Sequence, residues 1–351
     1  MRWKGNLFSL SIVLSKCFLF FVVRISLTGG IMYLFKYILK RLGLMLMTFS
    51  IILTMCFVLV KLLPDTPPEQ FGKDMEIILK RREMLGYGKP IMVQYMRFLK
   101  YAIRGEFGLS EVLYSGSRNV WDVFVEKLPF TVALNIYSII LSIPIGLGLG
   151  ILAAIYKNKW LDHIISTGVM IFVSIPSFIF GFLIQYLLCF RWGLFEPTMD
   201  ATQGAFSWTA FVTCIPAILC LSFGTIAGFA RYTRAELCEV LTSDYLLLAR
   251  TKGLTRNQAT VRHAMRNAMV PIFPMILGEF ISIMSGSLII EQMFTIPGVG
   301  ALYVNSVQAS PPDYNFFMLL SAFYMLIGLT AGIVIDISYG IIDPRIRMGA
   351  R

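Results

Sequence analysis

The sequence predicts an all-α, polytopic membrane protein with about six transmembrane helices. Three observations predict it. Of 351 residues, 57% are hydrophobic and only 15% charged, the apolar residues gather into long runs, and the basic residues fall between those runs. A soluble domain carries about 25% charged residues, and a helix needs about 20 apolar residues to cross a hydrocarbon core about 30 Å thick. The net charge of +11 raises the possibility of a nucleic-acid ligand. Its cations form no continuous patch, however, and sit where they set topology. No nucleic-acid partner is expected; lipid is.

Six segments meet the length requirement. Leu42–Val60 carries no charge between Arg41 and Lys61. The second runs from about Phe130 to Tyr156, the third is Ile164–Phe190, and the fourth is about Thr209–Ala230, ending at Arg231. The fifth, Val270–Ile290, is interrupted once by Glu279, and the sixth is Tyr314–Ile335. This divides the chain into an N-terminal extension (1–31), a first transmembrane helix (32–63), an extracytoplasmic segment (64–128), a core with five spans (129–347) containing a loop over 231–270, and a tail (348–351). Leu7–Val23 in the extension is apolar but broken by Lys16, and no small-residue cleavage site follows it.

Orientation follows from the short loops. Arg231, Arg234, Arg250, Lys252, Arg256, Arg262 and Arg266 lie between spans four and five, and Lys157 and Lys159 between two and three. Thr295–Asp313 has no Lys or Arg. That asymmetry puts both termini in the cytoplasm. The six cysteines show no CxxC and no paired spacing, so they read as small packing residues rather than a disulfide framework or a metal site.

The loop between spans four and five carries the most local signal. Thr242-Ser243-Asp244 offers side-chain oxygens for a helix start, Tyr245–Lys252 has no breaker, and Gly253 sits at a helix C′ position. Thr255-Arg256-Asn257-Gln258 fits a capping box. Val261, Ala264, Met265, Ala268, Met269 and Ile272 then form an apolar stripe opposite Arg262, His263 and Arg266. The pattern predicts helix, glycine turn, helix, then Pro271 entering the fifth span. A plain basic loop that only sets topology accounts for the charges, but not for the caps and the stripe.

Catalytic motifs are missing. Gly86-Tyr87-Gly88-Lys89-Pro90 lacks the leading glycine and final hydroxyl of a phosphate-binding GxxxxGK[ST] loop, and the sequence has no HExxH, Cys/His zinc set or GxSxG. No catalytic residue, metal or cofactor is expected on this chain. Glu279, inside a span, reads as a pathway lining, a salt-bridge partner, or a carboxylate satisfied by a neighbouring helix. Glu291 and Asp336 lie near span ends, where solvation is easy. Pro144, Pro176 and Pro216 sit mid-span, and Gly146, Gly148 and Gly150 follow the first. Kinks around a cavity and close helix packing both fit them.

Tyr232-Thr233-Arg234, Asp244-Tyr245, Ala249-Arg250-Thr251-Lys252-Gly253-Leu254, and Arg262-His263-Ala264-Met265-Arg266-Asn267-Ala268 with Pro271 resemble the cytoplasmic loop of binding-protein-dependent ABC importer permeases, dipeptide/oligopeptide/nickel subgroup. Ser174-Ile175-Pro176-Ser177-Phe178, Glu291-Gln292-Met293-Phe294, Ile296-Pro297-Gly298-Val299-Gly300 and Asp343-Pro344-Arg345 are similar too. The general permease signature has an acidic residue and two alanines before the glycine. Here only Ala249 matches, with Leu247 and Leu248 in the other places.

The resemblance implies a type I ABC importer permease fold in a bacterial inner membrane. It implies a second homologous permease, two cytoplasmic ATPases that hold the ATP and Mg, and an extracytoplasmic substrate-binding protein docked on an outer scoop that includes 64–128. Asp244, Ala249, Lys252, Gly253, Leu254, Arg256, Arg262 and Arg266 would couple to the ATPase, with Ala249, Leu254 and Arg256 touching it. Glu279, Pro176 and Ser177 would line the pathway. The rival is a stand-alone secondary transporter or channel, which predicts repeated halves and a midplane ion site; neither is visible.

Overall fold

The computed structural model of the chain describes residues 30–63, 75–114, 118–282, 288–310 and 312–342. Residues 1–29 of the leading segment and the Asp343-Pro344-Arg345 tail lie outside the described residues, as does the side chain of Arg256. Among the described residues the regular elements are helices, with one isolated bridge between Leu109 and Asn119. The chain divides into two units, Met1–Thr48 and Phe49–Arg351. The first holds the start of α1 (Gly30–Leu62). There the Thr48 hydroxyl donates back to the Leu44 and Met45 carbonyls, which keeps it satisfied on an apolar helix.

In the second unit, α2 (Met75–Leu85) and α3 (Ile91–Ala102) precede α4 (Val120–Ile155). Asn119 caps α4 by accepting a hydrogen bond from the Trp121 N–H. α5 (Trp160–Ser174) and α6 (Ser177–Ile184, continued by a π-helical turn, Gln185–Arg191) are separated by a 99° bend. α7 spans Trp208–Leu241, α8 Asp244–Thr251 and α9 Arg256–Ala259. A π-turn (Thr260–Ala264) joins α9 to α10 (Met265–Ser282). α11 (Leu288–Met293), α12 (Val299–Gln308) and α13 (Tyr314–Ile342) follow.

Among the described residues four helices are long and apolar enough to cross a membrane: Tyr37–Leu62 of α1, α4, α7, and Tyr314–Tyr339 of α13. The α5–α6 pair makes a fifth if counted as one bent span. The sequence expectation needs correction in one place. Ile164–Phe190 is not straight: Pro176 has no N–H to donate and holds Ile175 extended, so the helix breaks there. Of Val270–Ile290, α10 covers the part up to Ser282 and α11 the part from Leu288, and residues 283–287 lie outside the described residues.

α4 and α7 run parallel and form the central seam. The Ser138 and Ser222 hydroxyls meet across it at 3.2 Å. Two turns further along, a Cβ on Gly146 would come within 2.7 Å of Phe229 Cβ, and one turn beyond that a Cβ on Gly150 would come within 2.6 Å of Thr233 Cβ. These two glycines, four apart on one face, let the backbones approach. Gly148 faces open space, so the close packing explains two of the three glycines. Around the seam, Leu134 packs with Cys214, Ile218, Ile290 and Phe294. At the N-terminal end of α4, Val120, Val123 and Phe124 pack with Val299, Leu302 and Phe316.

Candidate functional site

The C-terminal ends of α4 and α7 carry a helical hairpin. α7 does not stop at Arg231, where its apolar run ends, but continues about three turns to Leu241. Only Thr242 and Ser243 separate it from α8. The hydroxyls of this pair do not cap α8 as the sequence suggests. Thr242 Oγ1 donates to the Glu239 carbonyl and Ser243 Oγ to the Val240 carbonyl, at 2.9 and 2.6 Å. The end of α7 leaves orphan carbonyls, and these nearer acceptors take the hydroxyl protons.

The turn is built as the sequence predicts. Gly253 has φ +95°, a conformation that costs an L-residue roughly 1–2 kcal/mol. The Gly253 N–H bonds to the Arg250 carbonyl at 3.0 Å and the Leu254 N–H to the Ala249 carbonyl at 3.4 Å, which is the Schellman pattern. The capping box also forms: the Thr255 N–H donates to Gln258 Oε1 at 3.1 Å and the Gln258 N–H to Thr255 Oγ1 at 3.3 Å.

The second arm departs from the expected stripe at one position. Ala259, Ala264, Ala268 and Ile272 are buried, while Val261 is exposed. The π-turn adds a residue between Ala259 and Ala264, so that step is five rather than four. The inward face is thereby kept in register through α10, and Val261 is rotated out. Those three alanines pack with Leu246 and Ala249 of α8, Ala154 of α4 and Leu237 of α7. Ala249 is therefore buried and Leu254 half-buried against the same cluster, so Ala249 offers no side chain outward and Leu254 only part of one. The outward face of α8 is Tyr245, Leu247 and Leu248, the leucines 59% and 56% exposed. Sequence reasoning passed over both leucines, although α8's 3.6-residue period, with Leu246 and Ala249 inward, points them out. Asp244, Arg250, Lys252, Gly253, Arg262 and Arg266 are exposed around them.

An ion pair ties α5 to this end. Arg234 Nε and Nη2 donate to Asp162 Oδ1 and Oδ2 at 2.5 and 2.8 Å. Asp162 also accepts from the Asn158 N–H and the Ser166 hydroxyl. The bidentate geometry fixes direction as well as distance, so the start of α5 follows the end of α7.

The pathway candidates do not converge. Pro176 and Ser177 are exposed at the α5–α6 bend. Glu279 is half-buried on α10, and among the described residues no hydrogen bond or ion pair reaches its carboxylate. Its neighbour Gly278 packs against Ile335 of α13.

Glu291 is not solvated near a span end; it is fully buried. Oε2 accepts the Gly300 and Ala301 N–H groups at 2.8 and 3.1 Å, and Oε1 accepts the Thr131 hydroxyl at 3.0 Å. Thr131 Oγ1 in turn accepts the Val299 N–H at 2.8 Å. The first three donors of α12, orphans at any helix start, are thus satisfied by one carboxylate and one hydroxyl. A Cβ on Gly298 would overlap this carboxylate, and one on Gly300 would stand 2.9 Å from it. The Pro-Gly-x-Gly segment is therefore shaped around Glu291. Asp313, also buried, accepts the Ser110 hydroxyl at 2.7 Å and the Val112 and Leu113 N–H groups at 3.1 and 3.2 Å.

A family model described as "Binding-protein-dependent transport system inner membrane component" matches residues 146–348. The chain is 34% identical over 316 residues to a dipeptide transport system permease protein of Lactococcus lactis subsp. cremoris (strain MG1363), covering 89% of this chain and 99% of that one. It is 33% identical over 315 residues to a dipeptide transport system permease protein of Bacillus subtilis (strain 168), covering 89% and 98%. Against a glutathione transport system permease protein of Escherichia coli (strain K12) it is 31% identical over 315 residues, covering 89% and 99%.

Proposed function

The chain belongs to the family of inner-membrane components of binding-protein-dependent transport systems, and from that premise we propose that it is one permease half of an ATP-driven importer of di- or oligopeptides. The observation that carries the reading is the hairpin of α8 and α9. It presents Leu247 and Leu248 to solvent beside a turn whose Schellman bonds and capping box are formed. Exposed leucines on a short, capped helix suit a groove in a protein partner. The relatives named for dipeptides and glutathione support a small peptide as cargo.

In this reading the hairpin faces the cytoplasm, as do both termini, and docks on one of two ATPase subunits that bind ATP and Mg; this chain is not itself catalytic. A second homologous permease completes the pathway, and a substrate-binding protein delivers cargo from the other side of a bacterial inner membrane. A push on α8 reaches the spans by three routes. The alanine cluster bears on Ala154 of α4 and Leu237 of α7, the π-turn continues the second arm into α10, and Arg234 passes the displacement to α5 through Asp162. Glu279, Pro176 and Ser177 are the proposed pathway positions. Asp244, Lys252, Gly253, Arg256, Arg262 and Arg266 belong to the docking face, with Ala249 and Leu254 holding it from behind.

The test is ATP hydrolysis co-purifying with the tagged chain from its native membranes. Leu247→Glu with Leu248→Glu is expected to reduce co-purified ATPase at least about tenfold, which is about 1.4 kcal/mol of docking free energy, while the chain elutes as a folded species. If the wild-type chain brings down no ATPase, the stand-alone transporter reading replaces this one.

A further inference from the structure

α3 has one wide apolar face, and the structure covers only part of it. Tyr95, Phe98 and Leu99 pack on Phe57 of α1 and Met318 of α13. The Phe57 ring lies 5.2 Å from both the Tyr95 and the Phe98 ring, and the Tyr95 hydroxyl is 2.6 Å from Thr54 Oγ1. The adjoining face, which begins beside Leu99, holds Met92, Met96 and Ile103, which are 67%, 61% and 87% exposed. At about 100° per residue these three fall within roughly 40° of one another, so they form a single strip. Exposed Lys100 and Arg104 border it on the side away from α1, and exposed Lys89 precedes its first turn.

The level of this strip relative to the membrane follows from its anchor. Thr54 and Phe57 lie inside the apolar span Tyr37–Leu62, which has 26 residues. That length is about 39 Å, some 9 Å more than a hydrocarbon core. A centred span therefore puts Thr54 about 8 Å and Phe57 about 4 Å inside the core boundary. α3 rests against them, so it lies in the outer part of one leaflet, at the depth an interfacial helix takes. Met55 and Leu59 of α1, on the same stretch of the span, are exposed too.

We propose that α3 is an interfacial helix lying in one leaflet. Met92, Met96 and Ile103 enter the acyl-chain boundary, and Lys89, Lys100 and Arg104 reach the phosphates of anionic headgroups. An apolar strip with flanking cations is what an interfacial helix needs, and long basic side chains lie along such a boundary with their heads in water. The occupant of this face is lipid rather than a docked protein. The inference stands on the membrane embedding of α1 and is independent of cargo and ATPase.

Photo-crosslinking in intact membranes containing the full chain tests it. p-Benzoylphenylalanine in place of Met92, Met96 or Ile103 is expected to form phospholipid adducts at least about fivefold more often than the same group in place of the exposed Glu106. Equal lipid labelling at all four positions, or adducts with a protein at the strip, overturns the proposal. For the headgroup contact, Lys89→Gln, Lys100→Gln and Arg104→Gln together are expected to lower the anionic share of lipid adducts at Ile103 about twofold. An unchanged share removes the headgroup contact from the proposal.

Discussion

The two ends of α4 are built on opposite plans. At its N-terminal end, Glu291 and Asp313 are buried and saturated by backbone N–H groups and hydroxyls, and the core there is large, with Phe124 and Phe316. At its C-terminal end the contacts are alanine-sized, the hairpin's charges are exposed, and two leucines face outward. A buried carboxylate that caps a helix allows little displacement, because any shift leaves donors unpaired in a dry site. Alanine packing gives a flat face that tolerates small sliding, and exposed leucines gain most from a partner. One end is an anchor and the other a handle.

The largest effect is expected at the anchor. Glu291→Ala leaves the Gly300 and Ala301 N–H groups and the Thr131 hydroxyl without their acceptor. At roughly 1–3 kcal/mol for a buried unpaired group, a loss of about 3 kcal/mol or more is expected, read as a collapse of monodisperse protein on size exclusion. Wild-type recovery of the variant would remove the anchor from the comparison.

Gly150→Ala comes next. Its Cβ would meet Thr233 Cβ at 2.6 Å and the Ala230 carbonyl at 2.7 Å, and overpacking of this kind costs about 1–3 kcal/mol. Gly148→Ala, with nothing within 4 Å, is expected to be neutral or to gain up to about 1 kcal/mol from helix propensity. Thermal inactivation midpoints of the two variants should therefore move in different directions, and equal shifts would mean that the seam is not the cause.

Asp162 is the exception that sharpens the contrast, being a buried carboxylate at the handle end. Its partner Arg234 is partly exposed, so water takes over part of the guanidinium's solvation when the pair is lost. Asp162→Ala is expected to cost about 1–2 kcal/mol, less than removal of Glu291. It should also lower transport per ATP hydrolysed in the reconstituted complex, because α5 no longer follows α7. A stability loss equal to that of Glu291→Ala would mean that both ends are anchors.

The smallest effect is expected at Gly253. Its Cβ would touch nothing within 4 Å, so Gly253→Ala costs only the φ +95° conformation, about 1 kcal/mol. That cost should appear as faster amide exchange confined to the hairpin, with the thermal midpoint of the whole protein unchanged.

Much of the handle was legible in the sequence. Gly253 and the Thr255–Gln258 box are read from residues three or four apart, and the interactions they predict are equally local. The same local reading failed at Ser243, because the competing acceptor, the Val240 carbonyl, was assigned to a loop rather than to the end of α7. It also failed at Val261, where a π-turn changes the period that the stripe analysis assumes. The anchor was not legible. Glu291 was placed near solvent, whereas its partner Thr131 lies 160 positions away.

The sequence by itself determined the all-α membrane class, the apolar runs and the glycine turn, since hydropathy, caps and backbone permission act over one or two turns of chain. Only the tertiary structure decided that Ala249 faces inward and Leu247 outward, that Gly146 and Gly150 matter where Gly148 does not, and that Glu291 caps α12. Each of those depends on which distant helix arrives alongside, and the free energy of burial or hydrogen bonding is set by that neighbour.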